Sequence, residues 1–373
     1  MRDLIFIPIE PLEERYTEQW YRNFPKELSS YFNVTTIDGT TLEDTVKVGA
    51  FLDINSTTHY KWTQLQQISK LFHKNKIKED TIFFFADMEF WGLEGVRLLA
   101  QMNNINIKIA AFLHAASYTI GDAFSIASPY QKYTELGWAA VCDKILVGSN
   151  YHKRAFIERR VKPIVPDQEN YFSEKIKVTL NPIFKEEFPV FGTSKKNKVI
   201  LTNRLDKEKN PLRTLQLFST VRLRHPEIEF IITSSRSDLR GDPETIELAK
   251  TLEAAGIITI KVGLSKREYY RELSEALIIV SHSPEENFGY CLAEGLFYDV
   301  VPFYRYCASH PELVNNIPYC LFNDEDVRGQ IDGLSRLIED SELRSKFISV
   351  ELPIIKQTLQ NGLPNIISEL KSI

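Results

Sequence analysis

Residues 277–295 read LIIVSHSPEENFGYCLAEG, an apolar run followed by a polar loop and a stretch with helical spacing. A glycine soon after a strand lets the backbone approach a ligand closely, and a helix N-terminus presents free N–H groups to anions. Glu286 lies in the predicted loop and Glu294 in the predicted helix. Carboxylates beside an anion-binding element suit hydrogen bonds from sugar hydroxyls. The alternative, that both glutamates are merely solvated, stays open from this stretch alone.

A second charged loop, at residues 203–211, reads NRLDKEKNP and follows another apolar run. Arg204 can place its guanidinium fork on phosphate oxygens, and Lys209 adds a mobile point charge. A solvated charged loop is again the alternative. Both loops follow the carboxyl ends of predicted parallel strands, where open α/β sheets bind their ligands. Together they therefore predict a site for a nucleotide sugar.

Short apolar runs alternate with helical spacing along the whole chain, which predicts an α/β fold with parallel sheets and helices on both faces. The predicted strands cover residues 4–9, 81–85, 107–113, 144–147, 198–202, 229–233, 257–262, 277–281 and 300–304. Asn210 is expected to cap a helix that begins at Pro211, and Ser265 with Glu268 forms a capping box.

The length of 373 residues suits two domains. A stretch rich in Pro, Gly, Ser and Lys at residues 189–198 marks a linker between them. We expect an N-terminal acceptor-binding domain at 1–190 and a C-terminal nucleotide-sugar-binding domain at 191–345. A helical segment follows at 346–373, and its packing against the N-terminal domain is one option.

The net charge of −5 gives no broad attraction for nucleic acid or anionic membranes. No apolar run approaches the length of a membrane span, and no signal peptide is recognisable, so we expect a cytoplasmic protein. The four cysteines are widely spaced, which favours a reduced interior over a zinc site. Asp324 to Asp326 is similar to a metal-binding DxD run, but Asp326 is better interpreted as a helix cap. We predict no metal and no other cofactor.

The motifs resemble those of retaining GT-B glycosyltransferases, in particular glycosyltransferase family four. The stretch 286–294 matches the E-x7-E signature, and 203–210 is similar to the G-R-L-x-x-x-K-[GN] loop with Asn in place of Gly. The stretch 307–314 (CASHPELV) resembles the G-G-x-P-E-[IL]-V stretch without its glycines. The likeness runs from about Asn181 to Arg344. It implies the GT-B fold, in which two Rossmann-like domains with parallel sheets face each other across a cleft.

This resemblance also implies an activity and its residues. The activity is retaining transfer of a hexosyl or pentosyl group from a UDP- or GDP-type sugar to an acceptor hydroxyl. Glu286 would touch the transferred sugar, and Glu294 would accept hydrogen bonds from the ribose. The residues that would bind the donor are Arg204, Lys209, Phe288, Gly289, Tyr290 and Glu294.

Two strand ends in the first half carry further candidates for catalysis beside Glu286. Asp87 follows one predicted strand, and His114 follows the next. His114 matches a histidine that contacts the transferred sugar in the family. The alternative for each is a hydrogen-bonded loop residue. Residues 8–15, where the family has a glycine-rich loop, contain no glycine.

The acceptor is predicted from a fainter likeness. Short pieces between residues 85 and 156 resemble the mannosyltransferases that decorate queuosine in tRNA, and a basic stretch lies beside them. Its cations, which could contact the phosphates of DNA or RNA, are Lys153, Arg154, Arg159, Arg160 and Lys162. A solvated helix face is the alternative. A glycan, lipid or small-metabolite acceptor, an epimerase-like or phosphorolytic enzyme, and a non-catalytic nucleotide-sugar-binding protein also stay open.

Overall fold

The computed structural model describes residues 1–13, 15–42, 53–119, 125, 129–234, 239 and 241–373. The chain forms two compact units, one made of Met1–Phe184 and Asn361–Ile373 and the other of Lys185–Gln360. The first unit ends a few residues before the expected linker because Phe184 is buried in it and packs on Phe24. The end of the chain belongs to the same unit, where Lys144 donates a hydrogen bond to Glu369.

Each unit is built on a sheet in which all pairings are parallel. In the described part of the first unit the strands are β1 (Asp3–Ile7), β2 (Asn33–Thr36), β3 (Ile82–Phe85), β4 (Lys108–Phe112), β5 (Lys144–Val147) and β6 (Ile176–Val178). In that of the second they are β7 (Lys198–Leu201), β8 (Glu229–Thr233), β9 (Ile258–Lys261), β10 (Ile278–Ser281), β11 (Val301–Arg305) and β12 (Leu321–Phe322). The strand orders are β2-β1-β3-β4-β5-β6 and β12-β11-β10-β7-β8-β9.

The strand predictions hold for nine strands and miss β2, β6 and β12. All three missed strands lie at a sheet edge. Strand β2 is polar and mostly exposed, and β6 and β12 have only three and two residues. An edge strand needs no continuous apolar run, so the pattern that finds central strands does not find these.

Helices connect the strands in both units. Those of the first unit before the linker are α1 (Tyr16–Leu28), α2 (Ile54–His73), α3 (Leu93–Met102), α4 (Gln131–Val141), α5 (Asn150–Phe156) and α6 (Glu169–Lys175). Those of the second unit are α7 (Pro211–Arg224), α8 (Pro243–Ala254), α9 (Lys266–Glu275), α10 (Tyr290–Phe297), α11 (His310–Leu313), α12 (Val327–Glu339), α13 (Ser341–Lys346) and α14 (Leu352–Gln360). Helix α15 (Gly362–Lys371) returns to the first unit.

Local sequence explains several helix starts. Ser265 and Glu268 form the predicted capping box of α9. Asp326 caps α12 by accepting a hydrogen bond from the Gly329 N–H, so the DxD-like run is a helix start. Helix α7 begins at Pro211 with Asn210 at the N-cap position, as predicted, but the Asn210 side chain does not act as the cap. Asn210 instead adopts a left-handed backbone with φ of 50° and makes no capping hydrogen bond, a conformation that Asn tolerates better than most residues.

The central strands are buried on both faces, as parallel sheets covered by helices require. Aromatic side chains supply much of the first core, in which the rings of Trp20, Phe24 and Phe112 pack edge to face. Across the residues that the structure describes, no helix is both long enough and apolar enough to cross a membrane.

Candidate functional site

Three loops of the second unit share one edge of its sheet. They follow β7, β10 and β11, which are consecutive in the sheet order. Because the strands are parallel, all three loops lie at their carboxyl ends, where ligands bind in α/β sheets. The predicted donor-binding residues lie in the loops after β7 and β10 and in helix α10.

An ion pair joins the first two loops. The Lys209 ammonium lies 2.7 Å from a carboxylate oxygen of Glu286, and the two side chains are only 19% and 20% exposed. Burial alone would raise the pKa of Glu286, but the neighbouring Lys209 charge holds it below the usual value. Burial alone would likewise lower the pKa of Lys209, and Glu286 raises it. Both groups are therefore charged at neutral pH.

Arg204 lies nearer the surface of the same loop. Its guanidinium is 2.7 Å from Asp206 and also contacts Glu208, and its side chain is 41% exposed. Burial raises the pKa of Glu208 in spite of the nearby Arg204 charge. Asp206 and Glu208 therefore hold the Arg204 guanidinium against its own loop.

Gly289 makes the turn from the loop into α10. Its φ of 90° is a left-handed conformation that side chains disfavour, and it occupies the N-cap position of the helix. On either side, Phe288 is buried and its ring lies 5.2 Å from that of Tyr290, the first residue of α10. This arrangement places the N-terminus of α10, the positive end of its dipole, at the same sheet edge as the Lys209–Glu286 pair.

Glu294 lies in α10 and receives three hydrogen-bond donors from α9. Lys266 is 2.6 Å away, the Tyr269 hydroxyl 2.9 Å and the Tyr270 hydroxyl 3.2 Å. A carboxylate has about four lone-pair positions, so one is left for a ligand hydroxyl. The sequence analysis missed these partners. The signal was their i, i+3, i+4 spacing after the capping box at Ser265, which places all three on one helix face.

The loop after β11 is tied to the loop after β10 by three hydrogen bonds. The Ser309 N–H donates to the Glu286 carbonyl at 3.2 Å, and the Ser309 hydroxyl to the Phe288 carbonyl at 3.0 Å. The Cys307 thiol donates to the Ser283 carbonyl at 3.4 Å. Ala308 has a φ of 53°, which explains why glycine is the usual residue in the motif that this loop resembles.

In the first unit, Asp87 lies beyond the end of β3 in a largely buried ion pair. The Lys61 ammonium lies 2.6 Å from one Asp87 oxygen and also donates to the Glu89 carbonyl. The same ammonium is 5.0 Å from the centre of the Trp91 ring. Lys61 was not predicted, because it lies on α2, far from any strand end in sequence.

His114 lies beyond the end of β4, the neighbour of β3. Its Nε2 is 2.7 Å from the Ala86 carbonyl, and its Nδ1 is 3.4 Å from the Tyr16 hydroxyl. A carbonyl oxygen only accepts, so Nε2 carries the proton and Nδ1 is the acceptor. Burial lowers the pKa of His114, which favours the neutral ring. Asp87 and His114 thus share one edge of the first sheet.

The prediction that the five cations of the basic stretch form one phosphate-binding surface is wrong. Arg160 is buried, where its guanidinium pairs with Glu135 and donates to the Ser117 hydroxyl. The Lys153 ammonium donates to the backbone carbonyls of Ser173 and Ile176. Of the remaining cations, Arg154 and Arg159 are exposed, and Lys162 is half-buried and paired with Glu158 and Glu169. Sequence spacing alone does not reveal that an arginine in a basic stretch faces inward.

Comparison with known proteins adds three findings. Residues 183–350 match the family model of the glycosyl transferases group 1. Two solved structures match over essentially the whole chain, each at 13% identity. One is a trehalose-6-phosphate synthase studied with bisubstrate glycomimetics (TM-score 0.66, 99% of both chains), and the other is HepE from Anabaena in complex with UDP and glucose (TM-score 0.65, 100% of both chains). An α,α-trehalose-phosphate synthase from Burkholderia vietnamiensis is 11% identical (TM-score 0.63, 100% of both chains). No curated protein matches the sequence.

These findings define the class of the protein. It has the GT-B fold, with two Rossmann-like units that each contain a parallel six-stranded sheet in their described residues. Residues 183–350, which include nearly all of the second unit and its three site loops, carry a glycosyl transferases group 1 domain.

Proposed function

We propose that this protein is a retaining glycosyltransferase that moves a hexosyl or pentosyl group from a UDP- or GDP-type sugar to an acceptor hydroxyl. The observation that carries the proposal is the Lys209–Glu286 ion pair beside Gly289 and the start of α10. It puts a cation for a diphosphate and a carboxylate for sugar hydroxyls at one sheet edge. The family match spans all of these residues.

The solved structures support the donor and the stereochemistry. HepE was solved with UDP and glucose bound, and the trehalose-6-phosphate synthase study concerns glycosyl transfer with retention. In the proposed reaction the bond between C1 of the sugar and the diphosphate oxygen breaks, and the electron pair leaves with the diphosphate. The acceptor oxygen attacks from the same face, and its proton passes to the departing phosphate oxygen.

The charges of the second unit suit that reaction. Arg204 and Lys209 would stabilise the negative charge that develops on the leaving group, and Glu286 would accept hydrogen bonds from the sugar near an oxocarbenium-like centre. The positive charge comes from side chains, so no metal and no other cofactor enters the proposal. Asp87 and His114 of the first unit stay proposed as catalytic residues.

The acceptor hydroxyl belongs to one of several chemical classes. A modified base in DNA or RNA stays a prediction, and it has lost the support of Arg160 and Lys153, which are engaged within the first unit. The likeness to enzymes of tRNA modification is its remaining basis. A hydroxyl of a glycan, lipid or small metabolite fits the described residues equally well.

The test compares two glutamates by calorimetry with UDP and GDP, after mass spectrometry with a panel of nucleotide sugars has identified the donor. Glu294→Gln should weaken binding of the free nucleotide, because its proposed partner is the ribose. Glu286→Gln should leave that binding unchanged and depress sugar transfer. Glu244→Gln, at an exposed position of α8, is the matched control. Equal loss of nucleotide binding in both site variants would overturn these assignments.

A further inference from the structure

His310 lies in the loop after β11 and is fully buried. Its Nδ1 is 3.1 Å from the Arg305 carbonyl, and because a carbonyl only accepts, Nδ1 carries the proton. Burial lowers the pKa of His310 to about 4, against the opposing influence of the Glu286 charge, so the ring is neutral at pH 7. The other nitrogen, Nε2, is therefore a hydrogen-bond acceptor.

Among the residues that the structure describes, this acceptor and a neighbouring hydroxyl both lack a hydrogen-bond partner. Within the described residues, neither the buried Nε2 of His310 nor the buried hydroxyl of Tyr304 makes a hydrogen bond. The two rings are in edge-to-face contact, with centroids 4.9 Å apart. Buried polar groups in folded proteins nearly always have partners, so two unsatisfied groups side by side indicate that a further molecule supplies them.

Tyr304 lies near the carboxyl end of β11 and His310 in the loop that follows, at the sheet edge that carries the candidate donor site. The three hydrogen bonds of Cys307 and Ser309 tie the loop of His310 to the loop that carries Glu286. His310 follows Ser309 directly, so its ring is held next to the segment that bonds to Glu286. The loop of His310 is thus bonded directly to the loop of Glu286, the carboxylate that is proposed to hold the transferred sugar.

The chemistry of the pair selects its ligand. A hydroxyl group can donate to His310 and accept from Tyr304 at the same time, whereas a carboxylate or an ether can only accept. A carboxylate would also meet the negative charge of Glu286. We propose that His310 and Tyr304 form a hydroxyl-binding subsite for the transferred sugar, which favours a neutral sugar with a free hydroxyl over a uronic acid or the matching deoxy sugar. This inference rests on the proposed function.

The experiment measures binding by calorimetry in the full chain. The ligands are UDP, GDP, UDP-glucose, GDP-mannose and UDP-glucuronic acid, followed by the mono-deoxy analogues of whichever neutral sugar nucleotide binds. The variants are His310→Phe, which keeps a ring against Tyr304, and Tyr304→Phe, which removes one oxygen. The matched control is Tyr319→Phe, since Tyr319 also has a buried hydroxyl without a partner but precedes β12, away from the site loops.

Each site variant should bind the sugar nucleotide about three- to tenfold more weakly, the usual range for one hydrogen bond, and bind the free nucleotide as the wild type does. One mono-deoxy analogue should bind the wild type more weakly by a similar factor and should lose nothing further in His310→Phe. UDP-glucuronic acid should bind the wild type more weakly than UDP-glucose. The control should behave as the wild type.

Two contrary results have different meanings. If the wild type binds a sugar nucleotide and both site variants bind it equally well, a buried water molecule fills the position and the subsite is overturned while the proposed function stands. If the wild type binds no nucleotide and no sugar nucleotide, the proposed function fails and the subsite fails with it. Because Tyr304→Phe is nearly isosteric, a folding defect in His310→Phe would still leave a decisive variant.

Discussion

The carboxyl edges of the two sheets are assembled differently. In the second unit, the candidate residues come from short contiguous stretches, and the charges that meet, such as Lys209 and Glu286, belong to neighbouring loops. In the first unit, each candidate depends on a partner from a distant helix. Asp87 pairs with Lys61 of α2, and His114 contacts Tyr16 of α1. Site residues that lie in one contiguous motif can be predicted from the sequence, whereas partners that come from distant helices cannot.

The two edges also differ in charge. At the second edge the cations Arg204 and Lys209 are partly accessible and can exchange a carboxylate for a phosphate. At the first edge, Glu10 is buried and accepts hydrogen bonds from the hydroxyls of Ser56 and Thr57, and the Lys61 cation is already paired. The second edge is therefore the one proposed to bind phosphate, whereas Glu10 and Lys61 of the first edge are bonded within their own unit.

The largest expected effect tests whether Arg160 of the first unit stabilises the fold. Arg160→Met leaves Glu135 as an unpaired charge at a position where the two side chains are 7% and 1% exposed. Breaking such a pair should lower the free energy of unfolding by about 3–5 kcal/mol. Urea unfolding measures this.

The exposed neighbour Arg159 provides the matched control, since Arg159→Met should change stability by less than about 0.5 kcal/mol. The double variant Arg160→Met, Glu135→Gln should recover part of the loss. A stable Arg160→Met variant with weakened nucleic-acid binding would reverse the interpretation and restore this arginine to a phosphate-binding surface.

The next effect concerns acid and a buried histidine of the second unit. His282 bonds to Thr214 and Gln330, and burial lowers its pKa to about 4, from 6.5 in an unfolded chain. The unfolded chain then binds more protons between these values, so stability is full above about pH 6.5 and is lost as the pH falls towards 4. The loss should reach about 3 kcal/mol, at 1.36 kcal/mol for each pKa unit.

Urea unfolding from pH 7 to 4 should therefore show a shallower acid loss in His282→Gln than in the wild type. His73→Gln, an exchange at an exposed position on α2, should follow the wild-type curve. An unchanged slope in His282→Gln would mean that this histidine does not contribute to the acid sensitivity of the second unit.

The success of the sequence-based predictions also differs between contiguous motifs and contacts made by distant segments. The apolar runs predicted the central strands, and three ordered motifs predicted the fold class and the loops of the second unit. The edge strand β2 has no apolar run, so periodicity could not find it. Neither the inward turn of Arg160 nor the pairing of Lys61 with Asp87 has a local signal, because both depend on how distant segments pack.

A smaller effect tests the proposed phosphate contact at the carboxyl edge of the second unit's sheet. Arg204→Ala should lower sugar transfer tenfold to hundredfold, because a charge-assisted contact with the diphosphate contributes about 1.5–3 kcal/mol. Donor affinity should fall in parallel, and stability should change little, since the side chain is 41% exposed. Arg224→Ala, at an exposed position of α7 paired with Asp332, is the matched control. Unchanged kinetics in a folded Arg204→Ala protein would remove this residue from the site.

The smallest expected effect tests whether the loop after β11 is strained because it lacks the glycines of the motif that it resembles. Ala308 has a φ of 53°, a left-handed conformation that costs an L-residue about 1–2 kcal/mol. Glycine adopts it without that strain but loses more conformational entropy on folding, about 0.5–1 kcal/mol relative to alanine. Ala308→Gly should therefore raise the free energy of unfolding by about 0.5–1 kcal/mol and leave nucleotide binding unchanged.

Ala255 offers the opposite case in the same unit. It follows α8 with a φ of −80°, where an alanine is unstrained, so Ala255→Gly should lower stability by a similar amount. Parallel urea titrations of the two variants decide the matter by sign. If both substitutions destabilise the protein, Ala308 is held by its packing and the loop does not need a glycine. If the signs differ, Ala308 carries backbone strain in the loop after β11, close to His310. A glycine at this position, as in the motif that the loop resembles, then removes that strain.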